Sequence, residues 1–232
     1  MAIMRPCFLS LMAFFVLMTA TVTGVAATCA PQTVAVTVTP LIGGSSINNE
    51  HRQASMQQLS GIGDGMQHGS VPLALGLTLT RIINTTRISA YLQNDFIGSG
   101  ACGALAALDV EFGFEPHTIY IPAEFAPQSC AYNAIYAHEA QHVATDRAIL
   151  EDHLPILLAR IKEAVANIAP VHGVDPAAVQ ATLKAQIEQI MEAEMQSFSR
   201  GRERAQARVD SVEEYAMVSQ SCGGIIRQII RR

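Results

Sequence analysis

At Cys130 the hydrophobic pattern of this 232-residue sequence changes period, and that change limits the possible folds more than any other feature. Before it, residues 28–128 are rich in Thr, Val, Ile and Gly, and apolar residues tend to alternate. Thr33–Thr39 (TVAVTVT) alternates at period two, as a half-buried strand must when successive side chains point to opposite faces. Leu77–Ile83 and Thr86–Leu92 read as further strands. Ala104–Phe112 and His117–Pro122 flank the short segment Gly113-Phe114-Glu115-Pro116 and read as a hairpin. Residues 42–70, rich in Gly, Ser, Asn and Gln, are the most loop-like stretch, with room for a short helix over Glu50–Leu59.

After Cys130 the period is helical. Apolar residues at 135, 149, 157, 161 and 168 fall near one face at 100° per residue. Ala169-Pro170 and Gly173 interrupt that helix. A second helix begins near Pro176, with a stripe running through Val179, Leu183, Ile187, Met191, Met195, Phe198, Ala205, Val209, Val212 and Ala216. Gly201 is a candidate bend, and Cys222-Gly223-Gly224 a terminator. The expected class is α+β: a small, mostly antiparallel sheet over 28–128, then a long antiparallel helix pair over 129–222, in one domain spanning 28–232.

The first 27 residues read as a removable leader. Arg5 gives a short positive start, and Pro6–Ala27 carries no charge around the apolar run LSLMAFFVLM. The small residues Val25-Ala26-Ala27 suit cleavage after Ala27. An uncleaved membrane anchor and a lipid anchor through Cys29 are the rival readings. Without the leader the chain carries 14 basic and 20 acidic residues, a poor match to nucleic-acid phosphates. Four cysteines remain, Cys29, Cys102, Cys130 and Cys222, and an even number behind an export signal reads as two disulfides. The implied location is periplasmic or secreted, with no membrane association after cleavage.

The chemistry-bearing segment is Tyr136-Ala137-His138-Glu139-Ala140-Gln141-His142-Val143. Residues four apart on a helix differ by about 40° and one turn of rise, so His138 and His142 point the same way. Their imidazoles can take two positions of a tetrahedral Zn2+ site. Glu139, about 100° round, can serve as the catalytic base that takes a proton from zinc-bound water. Apart from Glu139, no Asp, Glu, Lys, Arg or Pro interrupts 131–145, as a buried helix requires.

HTIYIPAEF followed by SCAYNAIYAHEAQHVATD resembles the zincin-like, HExxH metallopeptidases, and more narrowly is similar to uncharacterised exported bacterial HExxH proteins. The resemblance spans roughly 105–222 and is specific only at HExxH. It implies a gluzincin-like zinc hydrolase acting on a peptide or protein, with a sheet-edge strand ahead of the motif helix that pairs with extended substrate. It also implies a later helix bearing acidic residues, here VDSVEEY at 209–215. The metzincin variant does not apply, because Thr145 and Ala148 stand where that pattern has Gly and His. A zinc amidase of cell-wall peptides is a second enzymatic reading. A non-catalytic envelope protein braced by metal or disulfides is the third.

The third metal ligand is open. With the helices joined near 169–175, residue 142 lies level with about 201. Glu213, about 60° from the centre of the second stripe, ranks first. Glu194, Glu214 and Asp146 follow. Asp146 shares a face with His142, and a buried carboxylate needs a partner. Arg202 is level with it and fits that role better than Asp146 fits that of a ligand-orienting acceptor. His153 reads as a core histidine, and Tyr215 as a core residue that could otherwise stabilise an oxyanion. An antiparallel hairpin would place Cys130 beside Cys222, leaving Cys29 for Cys102; the rival pairing is Cys102 with Cys130. Oligomeric state is not legible.

Overall fold

The structure, a computed structural model, describes residues 29–30, 32–60, 75–94 and 100–230. Residues 1–27, read above as a leader, and residues 61–70 of the loop-like stretch lie outside the described residues. The fold is α+β, with two small mixed sheets and a set of helices.

The first sheet is built on β5 (Ala101–Phe114). On one edge β1 (Ala35–Ile42) runs parallel to it, from Ala35 opposite Ala107 to Ile42 opposite Phe114. On the other edge β4 (Ile82–Asn94) runs antiparallel, with a register shift at Ser89/Ala90. The short β7 (Val171–Gly173) pairs with residues 101–103 on the edge that β1 leaves free. In the second sheet β6 (His117–Tyr120) lies between β2 (Ser45–Asn48), parallel, and β3 (Leu77–Leu79), antiparallel. A helix, α1 (Gln53–Ser60), follows β2 close to where the sequence suggests one.

Three strand expectations change. The expected hairpin does not form, because both edges of β5 are taken and β6 has no edge to pair with. The chain instead leaves the sheet after Phe114, and Gly113 just before it has a φ of 156° and no room for a Cβ against Leu41 O. The strand before the motif helix is not a sheet edge: β6 is central, and β3 is the outer strand on one side. The two strands expected over 77–92 resolve into β3 and one long β4.

The helical half begins at α2 (Cys130–Ala166), capped by Ser129, whose side chain accepts from Tyr132 N–H; Pro155 sits inside it without ending it. Asp175 caps α3 (Pro176–Val209), with Pro176 in the first turn. Gly201 does not interrupt α3. The helix stops instead at Val209, and Ser211 starts a separate α4 (Val212–Gln220), its hydroxyl accepting from Glu214 N–H. A 3-10 turn, Cys222–Gly224, leads into α5 (Ile225–Ile230). The expected stripe fails where the helix does: Phe198 and Ala205 are buried, whereas Val212 is 73% exposed.

Contacts between α2 and α3 run in opposite sequence order, with His142 meeting Gln206, Asp146 meeting Arg202 and Arg160 reaching Glu194. The main core joins Leu108, Val110 and Phe112 of β5 to Leu150, Leu157 and Ile161 of α2 and to Ile187, Met191 and Phe198 of α3. A second core joins Ile119 and Ile121 to Ile135 and Val143 of α2 and to Ile226 of α5. Burying each such side chain contributes about 1.5–3 kcal/mol. The motif helix thus packs its first half into the second core and its later half into the main core.

Both disulfides pair as the hairpin reasoning expects: Cys29–Cys102 with α-carbons 6.0 Å apart and Cys130–Cys222 at 5.8 Å. The second closes the start of α2 onto the end of α4. In the chain-entropy model a loop of that length contributes about 4–5 kcal/mol. Among the described residues, no helix is long and apolar enough to cross a membrane.

Candidate metal centre

His138, Glu139 and His142 are all buried on the inner face of α2, and their ligand atoms lie within 4.8 Å of one another. The carboxylate that meets them from the second helix is Asp210. Its Oδ1 stands 3.1 Å from His142 Nε2 and 3.5 Å from His138 Nε2. Two donors on a tetrahedral zinc ion, each about 2.1 Å from the metal, stand about 3.4 Å apart. Two imidazoles and one carboxylate at that spacing fit a zinc ion in both chemistry and size.

Asp210 reaches this position because α3 ends there. It is the C-cap, with φ −85° and ψ 32°, so its side chain leaves the helical stripe and turns toward α2. The residues ranked earlier lie elsewhere. Glu213 is exposed in the first turn of α4, where a carboxylate favours the helix dipole. Glu214 is in the same turn, and its N–H is the one that Ser211 caps. Glu194 bonds to Arg160 at 3.3 Å. A signal for Asp210 is present in the sequence: Ser211-x-x-Glu214 has the spacing of a helix-capping box, which starts a new helix and makes the preceding Asp the end of the old one.

Asp146, fully buried, is the hub behind the candidate ligands. Arg202 Nε and Nη2 donate to its two oxygens at 2.7 and 2.9 Å, His117 Nε2 donates at 3.0 Å and Gln206 Nε2 at 2.6 Å. Burial pushes this carboxyl up, but the hydrogen bonds from His117 and Arg202 and the guanidinium charge outweigh it and hold it below the usual range. The expected Asp146–Arg202 pair is therefore present. Removing one partner of a buried pair of this kind costs about 3–5 kcal/mol. His153 packs against Phe112 and Phe198, ring centroids 6.0 and 5.0 Å away, as a core histidine does. Tyr215 packs edge-on against His138 at 5.7 Å and hydrogen-bonds the Leu75 backbone.

Glu139 is held from outside α2. Thr78 Oγ1 donates to its Oε2 at 2.9 Å and is 3.1 Å from its backbone carbonyl. Gly76 leaves it room, since a Cβ there would fall 2.7 Å from Glu139 Oε1. Burial raises the Glu139 pKa above the ordinary carboxylate value against the lowering effect of the neighbouring histidines. β3 thus supplies both the Thr78 anchor and, beside it, the clearance.

No protein-family model, curated protein or solved structure matches this chain. What the centre can do rests on its own geometry.

In the metal-free protein His142 should titrate high. Burial disfavours its imidazolium, but the Asp210 hydrogen bond and the Glu139 charge outweigh that and push its pKa up to about 9. A raised folded-state pKa contributes stability that is complete below the unfolded value of 6.5 and is lost as pH rises through about 9. Chelator-treated protein should therefore melt progressively lower between those limits. Thermal midpoints across the range check this. A flat profile, or one that rises, would contradict the Asp210–His142 contact.

Proposed function

We propose that this chain is an exported zinc-dependent hydrolase of peptide or amide bonds, a metallopeptidase by chemistry. The observation that carries the proposal is the grouping of His138, His142 and Asp210 with Glu139 buried beside them. Zinc held there would polarise a scissile carbonyl and acidify a water molecule. Glu139 is the residue that moves the proton. Its raised pKa brings a carboxylate nearer the range in which it can accept a proton and return it to a leaving amine. Thr78 fixes one oxygen of that carboxylate, so the other is the one that works. His138 and His142 present imidazole nitrogens, and Asp210 brings the negative charge that offsets the ion's.

Glu139 favours the enzymatic reading over a structural brace. Structural zinc sites are closed by four protein ligands, whereas His138, His142 and Asp210 supply three and leave a position for water beside Glu139. A buried carboxylate with a raised pKa costs stability and is kept where it performs chemistry. The two disulfides accord with an oxidising compartment outside the cytosol.

The test is a peptide-cleavage screen on the mature protein. Cleavage should occur, stop with a chelator and return with zinc. Protein refolded with zinc that still analyses as metal-free would overturn the proposal.

A further inference from the structure

The Gln206 side chain has an orientation that its neighbours decide. One end of its amide is 2.6 Å from Asp146 Oδ1 and 3.1 Å from the His142 backbone carbonyl. Both of those partners only accept hydrogen bonds, because the carboxylate is ionised and already receives Arg202 and His117. That end must therefore be the NH2 group. The opposite end is then the oxygen, and it stands 2.6 Å from His142 Nδ1. An amide oxygen only accepts, so Nδ1 must carry the proton. In the neutral ring that a metal ion would require, the lone pair is left on Nε2; without a metal that nitrogen hydrogen-bonds Asp210 Oδ1, 3.1 Å away.

We infer that Gln206 and Asp146 are positioning residues which set the tautomer of His142, through the chain Arg202 to Asp146 to Gln206 to His142. The inference rests on the metal-centre reading above. Neither residue touches a reacting atom. Gln206 acts on the ring directly, and Asp146 acts one step back by dictating which end of the amide faces it. Arg202 holds Asp146 with two parallel bonds, so the carboxylate cannot rotate away. All three residues are buried, which excludes competing partners from solvent. A ligand histidine and the helix packed against it are thereby tied together, so that α3 controls which nitrogen α2 presents.

Two measurements on zinc-loaded protein test this: zinc affinity by competition with a chelator, and exchange of the His142 Nδ1 proton by nuclear magnetic resonance on histidine-labelled protein. Gln206→Met keeps length but removes the acceptor. It should weaken zinc binding about tenfold to a hundredfold and leave the Nδ1 proton exchanging rapidly. Asp146→Asn lets the amide turn round, and should weaken binding at least about tenfold without touching either ligand ring. Gln196→Met, an exposed change on the same helix, should do neither. Zinc affinity within twofold of wild type in Gln206→Met would overturn the inference. Should both variants fail to fold, the wild-type spectrum decides: a protected Nδ1 proton on His142 supports the inference, and an unprotected one overturns it. Wild-type protein that binds no zinc would refute the metal-centre reading itself, a result distinct from wild-type binding that the variants leave unchanged.

Discussion

Asp210→Ala should lose zinc, and Glu213→Ala should keep it. Both residues are acidic and only three positions apart, so charge alone would treat them alike. Geometry separates them. Asp210 Oδ1 lies 3.1 and 3.5 Å from the two imidazole nitrogens, whereas Glu213 is exposed at the start of α4. Removing a ligand that contacts the ion should weaken binding beyond the about 10–100-fold typical of residues one shell out. The helix end itself should survive, because the Asp210 cap bond to Gln206 O is made by the backbone N–H, which alanine retains. Metal content after dialysis against a weak chelator separates the two variants. Retention by Asp210→Ala together with loss by Glu213→Ala would reverse the assignment made from the structure.

The second large effect belongs to Glu139. Glu139→Gln should hold zinc as wild type does and lose turnover by at least about a hundredfold, since it keeps the shape but cannot accept the proton. Thr78 can still donate to the amide oxygen, so the fold is not disturbed. The substitution also makes a stability prediction of opposite sign. A carboxylate whose folded pKa is raised destabilises the fold as pH climbs above its unfolded value of 4.5. The metal-free Gln variant should therefore melt higher than the wild type at neutral pH while being inactive when loaded. Undiminished turnover in this variant would remove Glu139 from the chemistry.

These residues were not equally legible. His138 and His142 could be placed together from spacing alone, because four residues return a helix to the same face. Asp146 and Arg202 could be matched because a buried charge demands a partner, and the turn near 170 brings the two level. The cysteine pairing followed from the same arithmetic. Strand partners did not, since nothing local in Ala101–Phe114 says that both of its edges will be occupied. That is why His117–Tyr120 read as its hairpin partner and not as the centre of another sheet. Asp210 was hidden by a coincidence: apolar residues at 209, 212 and 216 continue the helical period across a break in the helix. A period in the sequence persists through a change of axis, and only capping chemistry at Ser211 marks where the axis changes.

The two disulfides close loops that follow one another and do not interlock, 29 with 102 and 130 with 222. Covalently, the described chain is two rings joined by the single thread 103–129. His138, Glu139, His142, Gln206 and Asp210 all belong to the second ring. A protease that nicks the turn between α2 and α3 would therefore cut the polypeptide without parting any residue of the candidate metal centre from the others. On a denaturing gel without reductant such a nick leaves one band, whereas a nick in the thread gives two. Thr78 belongs to the first ring, so a cut in the thread would leave Glu139 and its hydrogen-bond partner joined by packing alone.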